Sequence, residues 1–116
     1  KTAKVRLYYT GWSSSTGEAD WGLRPLFASE SWAPKLNNMS FYKSEVVDNA
    51  LAKALVSVDE AEKAALYKTA QEQIRKDLPR LPLVTEQNLS AHSKRLTGVF
   101  VMPDANINID AMSVAN

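Results

Sequence analysis

Cysteine is absent from the 116 residues, and histidine occurs once, as His92. Without cysteine there is no disulfide framework, no thiol nucleophile and none of the usual structural zinc chemistry. A single imidazole leaves a multi-histidine metal site without ligands and gives triad chemistry one place only to start from. Lack of cysteine suits a chain working outside the cytosol, where a stray thiol oxidises, although many cytosolic domains lack it as well. An excess of charge is missing too: fourteen Lys and Arg stand against thirteen Asp and Glu. Nucleic-acid and anionic-membrane surfaces draw on a basic excess, so neither partner is expected. No apolar run approaches the roughly twenty residues of a membrane span, and no signal-peptide pattern is read.

What is present is enough for one domain, with 45% apolar residues to build a core. The chain begins Lys1-Thr2-Ala3-Lys4, without methionine, and enters an apolar run at once. Taken with the resemblance given below, this start is expected of a piece of a longer protein.

Val5 to Tyr9, ahead of Gly11, is β-branched and aromatic and predicts a strand, with Val5, Leu7 and Tyr9 on one face. A hydroxyl-rich loop follows from Gly11 to Gly17, holding Ser13, Ser14, Ser15 and Thr16 between Trp12 and Trp21. Asp20 suits the N-cap of a short helix through Leu23, Leu26 and Phe27, with Pro25 tolerated only in its first turns. Residues 29–42 read as irregular, with Pro34, Asn37, Asn38 and Ser40 as turn formers. Ser44 then caps a helix whose stripe is Val46, Val47, Ala50, Leu51, Ala54 and Leu55. Asp59, with Glu62 three residues on, opens the strongest helix, striped by Leu66, Ala70, Ile74 and Leu78. Lys63, Lys68 and Glu72 belong on its wet side, and Pro79 stops it. Leu81 to Val84 predicts a strand running, with a break, to about His92. Leu96 and Val99 to Val101 predict a second extended segment, and residues 106–110 a last one. The order makes an α/β or α+β fold.

Chemistry-bearing constellations are few. Glu18 and Asp20 are close enough in sequence for a carboxylate pair, but a capping Asp20 and a solvated Glu18 are the preferred reading. Ser90 and His92 lie at strand spacing, yet no acid nearby would orient the imidazole. Lys94-Arg95 is too short for a nucleic-acid patch. With no nucleophile–base pair and no metal set, neither an enzyme nor a cofactor is expected. The aromatics Tyr8, Tyr9, Trp12 and Trp21 suit either a core or a ligand wall. Hydroxyls and backbone amides beside them favour the wall, because such a loop orients a small polar ligand while the rings exclude water.

Gly11-Trp12, Asp20, Leu26-Phe27 and Asn38 to Tyr42 resemble the late segment of the family of dipeptide-, oligopeptide-, nickel- and glutathione-binding proteins of ABC importers. The series continues through Val47-Asp48, Asp59-Glu60-Ala61-Glu62-Lys63, Leu66 to Gln71, Leu81-Pro82-Leu83-Val84 and Leu96-Thr97-Gly98-Val99. The run from Gly11 to Trp21, with Ser90 to Lys94, is most similar to the glutathione-binding branch. The resemblance implies a periplasmic receptor of two lobes that closes on its ligand and delivers it to a membrane permease. It implies that residues 1–88 are the C-terminal part of lobe II and that residues 89–116 cross the hinge and return into lobe I. Tyr9, Gly11, Trp12, Ser13, Ser14, Ser15 and Asp20 are the ligand-binding residues it suggests, as one wall of the cleft.

Dipeptide and oligopeptide binders of this family carry an aspartate three residues after the tryptophan, against the ligand amine. Here Ser15 stands there. A neutral hydroxyl does not supply the charge-assisted bond a desolvated amine needs, whereas a γ-glutamyl ligand brings a carboxylate beside its own amine. Glutathione or a related short peptide is therefore the expected ligand. A dipeptide or oligopeptide receptor and a non-binding interaction domain are the alternatives. Strand edges left unpaired in such a segment would also favour self-association.

Overall fold

A computed structural model of the chain describes residues 7–85, 87–102 and 105–115. Among these residues three α-helices come first, with a short 3-10 turn (Ser29–Ser31) after the first of them, and four short strands last; each named strand pair is antiparallel, so the fold is α+β. No helix among the described residues is long and apolar enough to cross a membrane.

Helix α1 (Ala19–Phe27) starts two residues earlier than an N-cap at Asp20 predicts. Glu18 holds the N-cap position without a side-chain bond, and Asp20 lies in the first turn. Asp20 is not a cap because Arg24, one turn on, takes both its oxygens at 2.7–3.1 Å. Pro25 sits inside α1 and has no N–H for the carbonyl of Trp21, four residues back. That carbonyl accepts the indole N–H of Trp12 instead, at 3.0 Å. A helix defect thereby becomes the anchor of the preceding loop.

Helix α2 (Glu45–Val56) buries Val47, Ala50, Leu51 and Ala54. Val46 and Leu55, expected on the stripe, are exposed. At about 100° per residue they fall roughly 40° outside the buried arc. Ser44 is at the N-cap, but its side chain makes no capping bond.

Helix α3 (Glu60–Asp77) opens as predicted, the Asp59 carboxylate accepting the Glu62 N–H at 2.8 Å. The reciprocal half runs through Ser57, which donates to the Glu62 carboxylate and accepts the Asp59 N–H at 3.3 Å. Leu78 ends the helix in the left-handed region ahead of Pro79, so it leaves the expected stripe and is exposed. Lys63, expected in water, is half-buried and pairs with Glu60 at 3.0 Å.

The core lies where α2 meets α3 and the end of α1. Ala28, Val47, Ala50, Leu51 and Ala70 form it, with Leu23, Phe27, Tyr42, Tyr67 and Ile74 packed around them. Val47 and Leu51 are fully buried, each worth about 1.5–3 kcal/mol of transfer free energy. Arg24 ties α1 to α2 by donating to the Leu51 carbonyl at 2.7 Å and to Glu30 at 3.1 Å. Its hydrogen bonds to the Asp20 carboxylate hold the guanidinium above the ordinary range.

The irregular stretch after α1 is ordered by Asn38, which is fully buried. Its amide donates to the carbonyls of Ala28 and Tyr42, both at 2.9 Å. Its oxygen accepts from the Ser40 hydroxyl and the Tyr42 N–H, both at 3.1 Å. Tyr42 reaches on to α3, donating to Asp77 at 2.7 Å. That bond, with Gln73, holds the Asp77 carboxyl below the usual range, while burial and then Asp77 push the Tyr42 phenol up.

Two expected strands are not formed among the described residues. Val5 and Arg6 lie outside the described residues, and Leu7 to Thr10 are exposed and non-strand. Described residues between Leu81 and His92 are likewise exposed and irregular. Both stretches have the right composition, but a strand needs a neighbour to take its backbone bonds, and none runs beside them among the described residues.

The last segments do pair. Strands β1 (Leu96–Thr97) and β2 (Phe100–Val101) run out; β3 (Ile107–Asn108) and β4 (Ser113–Val114) run back, β1 against β4 and β2 against β3. Together they are one bulged hairpin: Thr97 faces Ser113 and Phe100 faces Asn108, so the return arm carries two extra residues between the pairs. Gly98, at φ +74°, fits the bulge because a Cβ there would run into the Ala111 carbonyl. The fourth strand was not anticipated, since Ser113-Val114 is too short to carry a pattern.

Candidate functional site

The loop ahead of α1 is held at both ends. On one side the Trp12 indole bonds the Trp21 carbonyl, and the two rings lie 6.2 Å apart, tilted by 46°. On the other, Ser14 donates to the Glu18 carbonyl at 3.1 Å and Thr16 accepts the Glu18 N–H at 3.2 Å. Gly17, at φ +72°, turns the chain into the helix. Ser14 and Thr16 therefore spend their hydroxyls on the loop itself. Ser13 and Ser15 are exposed and make no hydrogen bond among the described residues; the N–H groups from Gly11 to Thr16 are equally unengaged. The arrangement offers two free hydroxyls and a run of amide donors beside a fixed tryptophan.

Tyr9, Gly11, Trp12, Ser13, Ser14 and Ser15 are thus on one exposed stretch of chain. Tyr9 is 69% exposed and packs against nothing that would make it core. Asp20 stands apart: its carboxylate is engaged by Arg24.

Beneath this stretch is a small pocket of about 20 Å³, lined among others by Tyr8, Thr10, Trp12, Leu26, Met39 and Arg80. It has room for one water-sized group. Arg80 is half-buried there and donates to the Asn37 carbonyl at 2.7 Å. The sequence reading passed over Arg80. The available signal was its setting, one cation in the apolar run Leu78-Pro79-Arg80-Leu81-Pro82-Leu83.

A wider groove of about 320 Å³ runs between the helices, with Glu18, Asp20, Trp21, Leu55, Lys63 and Tyr67 on its walls. Burial and then the charge of Asp20 raise the Tyr67 phenol above its ordinary value, so it stays neutral. Glu18 and Asp20 do share a groove, but Asp20 answers to Arg24 and Lys63 to Glu60. The Ser90–His92 dyad is not formed; His92 is exposed and its Nδ1 lies 3.1 Å from the Ser93 carbonyl oxygen. No group of three or more potential metal ligands occurs among the described residues.

No family model matches the chain. Among curated proteins, it is 54% identical over 110 residues to the glutathione-binding protein GsiB of Shigella dysenteriae serotype 1, and likewise to those of Escherichia coli strain K12 and Shigella flexneri. The match takes in 95% of this chain but spans only 22% of the length of each of these relatives. The resemblance drawn from the residues therefore holds over nearly the whole chain. By name these relatives are binding proteins, not enzymes.

Proposed function

We propose that this chain, related over nearly its whole length to glutathione-binding proteins, is one segment of a periplasmic solute receptor that serves an ABC importer. The observation that carries the reading is the 54% identity across 110 residues, Gly11 to Trp21 falling inside a chain matched over 95% of its length. Glutathione or a related short peptide is the ligand in this reading. Residues 1–88 are the C-terminal part of lobe II, and residues 89–116 cross the hinge and return into lobe I. In the full-length protein the second lobe supplies the opposite wall, and closure about the hinge buries the ligand before it reaches the permease.

Tyr9 and Trp12 flank the ligand, while Ser13, Ser15 and the free amides from Gly11 onward give directional hydrogen bonds. Ser14 shapes the loop, and Asp20 acts through Arg24 to fix α1 beneath it. Ser15 leaves the wall without the negative charge that a free peptide amine requires, which suits a γ-glutamyl group with its own carboxylate.

Calorimetry of the full-length protein with glutathione, dipeptides and heptapeptides tests the assignment. Heat with glutathione is expected; heat with dipeptides alone would move the protein to the ordinary peptide receptors. Changing Ser13, Ser14 and Ser15 together to alanine is expected to weaken binding about tenfold or more, from lost hydrogen bonds worth roughly 0.5–1.5 kcal/mol each. Unchanged binding by that variant would make the loop packing only.

A further inference from the structure

Among the described residues two arginines, Arg24 and Arg80, are half-buried, and they are treated differently. Arg24 is half-buried and fully answered, by Asp20, Glu30 and the Leu51 carbonyl. Arg80 is half-buried too, yet its described hydrogen bond is the one to the Asn37 carbonyl, and no carboxylate lies within ion-pair distance among the described residues. A guanidinium has five N–H donors in a planar fork, so most of this one is unspent. Burial pulls it below its ordinary value, with the nearby Tyr8 opposing; it remains a cation at neutral pH. A half-buried cation without a counter-charge is costly unless something else brings the charge.

Its position says what that is. Arg80 lines the pocket together with Gly11 and Trp12 of the candidate ligand wall and with Thr10 beside them. The pocket's 20 Å³ excludes a whole peptide and has room for a single water-sized atom such as one carboxylate oxygen. We propose that Arg80 is the anion subsite of this wall and receives a carboxylate of the bound ligand by charge-assisted hydrogen bonds, a role that rests on the receptor reading above. The subsite accounts for a cation placed between two prolines, where the backbone is stiff and the side chain is presented from a fixed point. It also complements Ser15: the wall lacks an acid for the ligand's amine and holds a base for its acid.

The test is calorimetry on the full-length protein and its Arg80→Gln and Arg80→Lys variants, with glutathione, its glycyl monoethyl ester and its diethyl ester, and with trialanine and trialanine amide. For the wild type, removing the recognised carboxylate from the probe is expected to weaken binding about 10- to 100-fold. Arg80→Gln should lose a similar factor for the free acid and nothing further for the probe without that carboxylate. Arg80→Lys should retain part of the difference. The monoester against the diester identifies which glutathione carboxylate is held. If Arg80→Gln weakens acids and blocked probes equally, Arg80 only braces the Asn37 turn and the proposal is overturned; thermal melts of the same variants report that loss of structure directly. It is also overturned if the variant binds every probe as the wild type does. Trialanine bound in place of glutathione, with the acid–amide difference lost in Arg80→Gln, keeps the subsite and removes glutathione. A wild type that binds none of the probes removes both.

Discussion

Asn38 has two donors and two acceptor positions on its side chain, and all four are used within a fully buried site. Replacing it by alanine removes one donor from each of the Ala28 and Tyr42 carbonyls, which keep the Ser31 N–H and the Trp32 indole, and takes away the acceptor of the Tyr42 N–H and the Ser40 hydroxyl. Asn38→Ala is expected to lower unfolding free energy by about 3 kcal/mol in urea titration, several hydrogen bonds being lost at about 1 kcal/mol each. A loss below about 1 kcal/mol would show that the loop re-forms without it. Composition marks Asn38 as a turn former and no more, because its partners lie four and ten residues away and are set by where α1 ends. Arg80 is a parallel case. Its charge and the prolines on either side of it are plain in the sequence, but that no acid among the described residues pairs with it is seen only in the folded chain.

At the scale of elements, legibility follows the reach of the signal. The start of α3 is written in Asp59 and Glu62 and its stop in Pro79, all acting within a turn. Helix α1 starts two residues ahead of the position an Asp20 cap would give, because Asp20 has two uses and the ion pair with Arg24 prevails over the cap. Pro25 reads as a helix breaker, yet α1 runs through it, since the carbonyl it frees is taken by Trp12 from outside the helix. Strands fare worst, because β composition becomes a strand only beside a partner. In the hairpin, Gly98→Ala meets both a positive φ and the Ala111 carbonyl. We expect it to open the pairing of β1 with β4, at a cost of about 1–3 kcal/mol locally. Amide exchange at Ala115, which bonds the Arg95 carbonyl, should accelerate at least several-fold. Unaltered exchange there would mean the bulge tolerates a side chain.

The molecule as a whole is extended for its size. Its radius of gyration is 18.3 Å, where a compact chain of this length has about 13 Å. It exposes 9213 Å², where a folded monomer of 12.8 kDa exposes about 6300 Å². Much of the excess is apolar: Leu81, Leu83, Val84 and Leu89 before the hairpin, and Phe100, Ile107, Ile109 and Val114 on it. A two-stranded hairpin with both arms in water is marginal by itself. Expressed alone, the chain is therefore expected to associate through these surfaces, with a light-scattering mass above the 12.8 kDa of one copy. A clean monomer at high concentration would count against that expectation.

By itself, the sequence determined the three helices, the capped start and proline stop of α3, and the likeness to a binding-protein segment. Those rest on contacts within about one helical turn, or on residue order read directly. Only the tertiary structure decided which serines are free, which arginine is answered and which extended stretches become strands. Each of those depends on partners far along the chain: Leu51 for Arg24, Asn37 for Arg80, and Ser113 and Val114 for β1. Charge compensation and strand pairing are relations between distant segments, and folding alone brings those segments together.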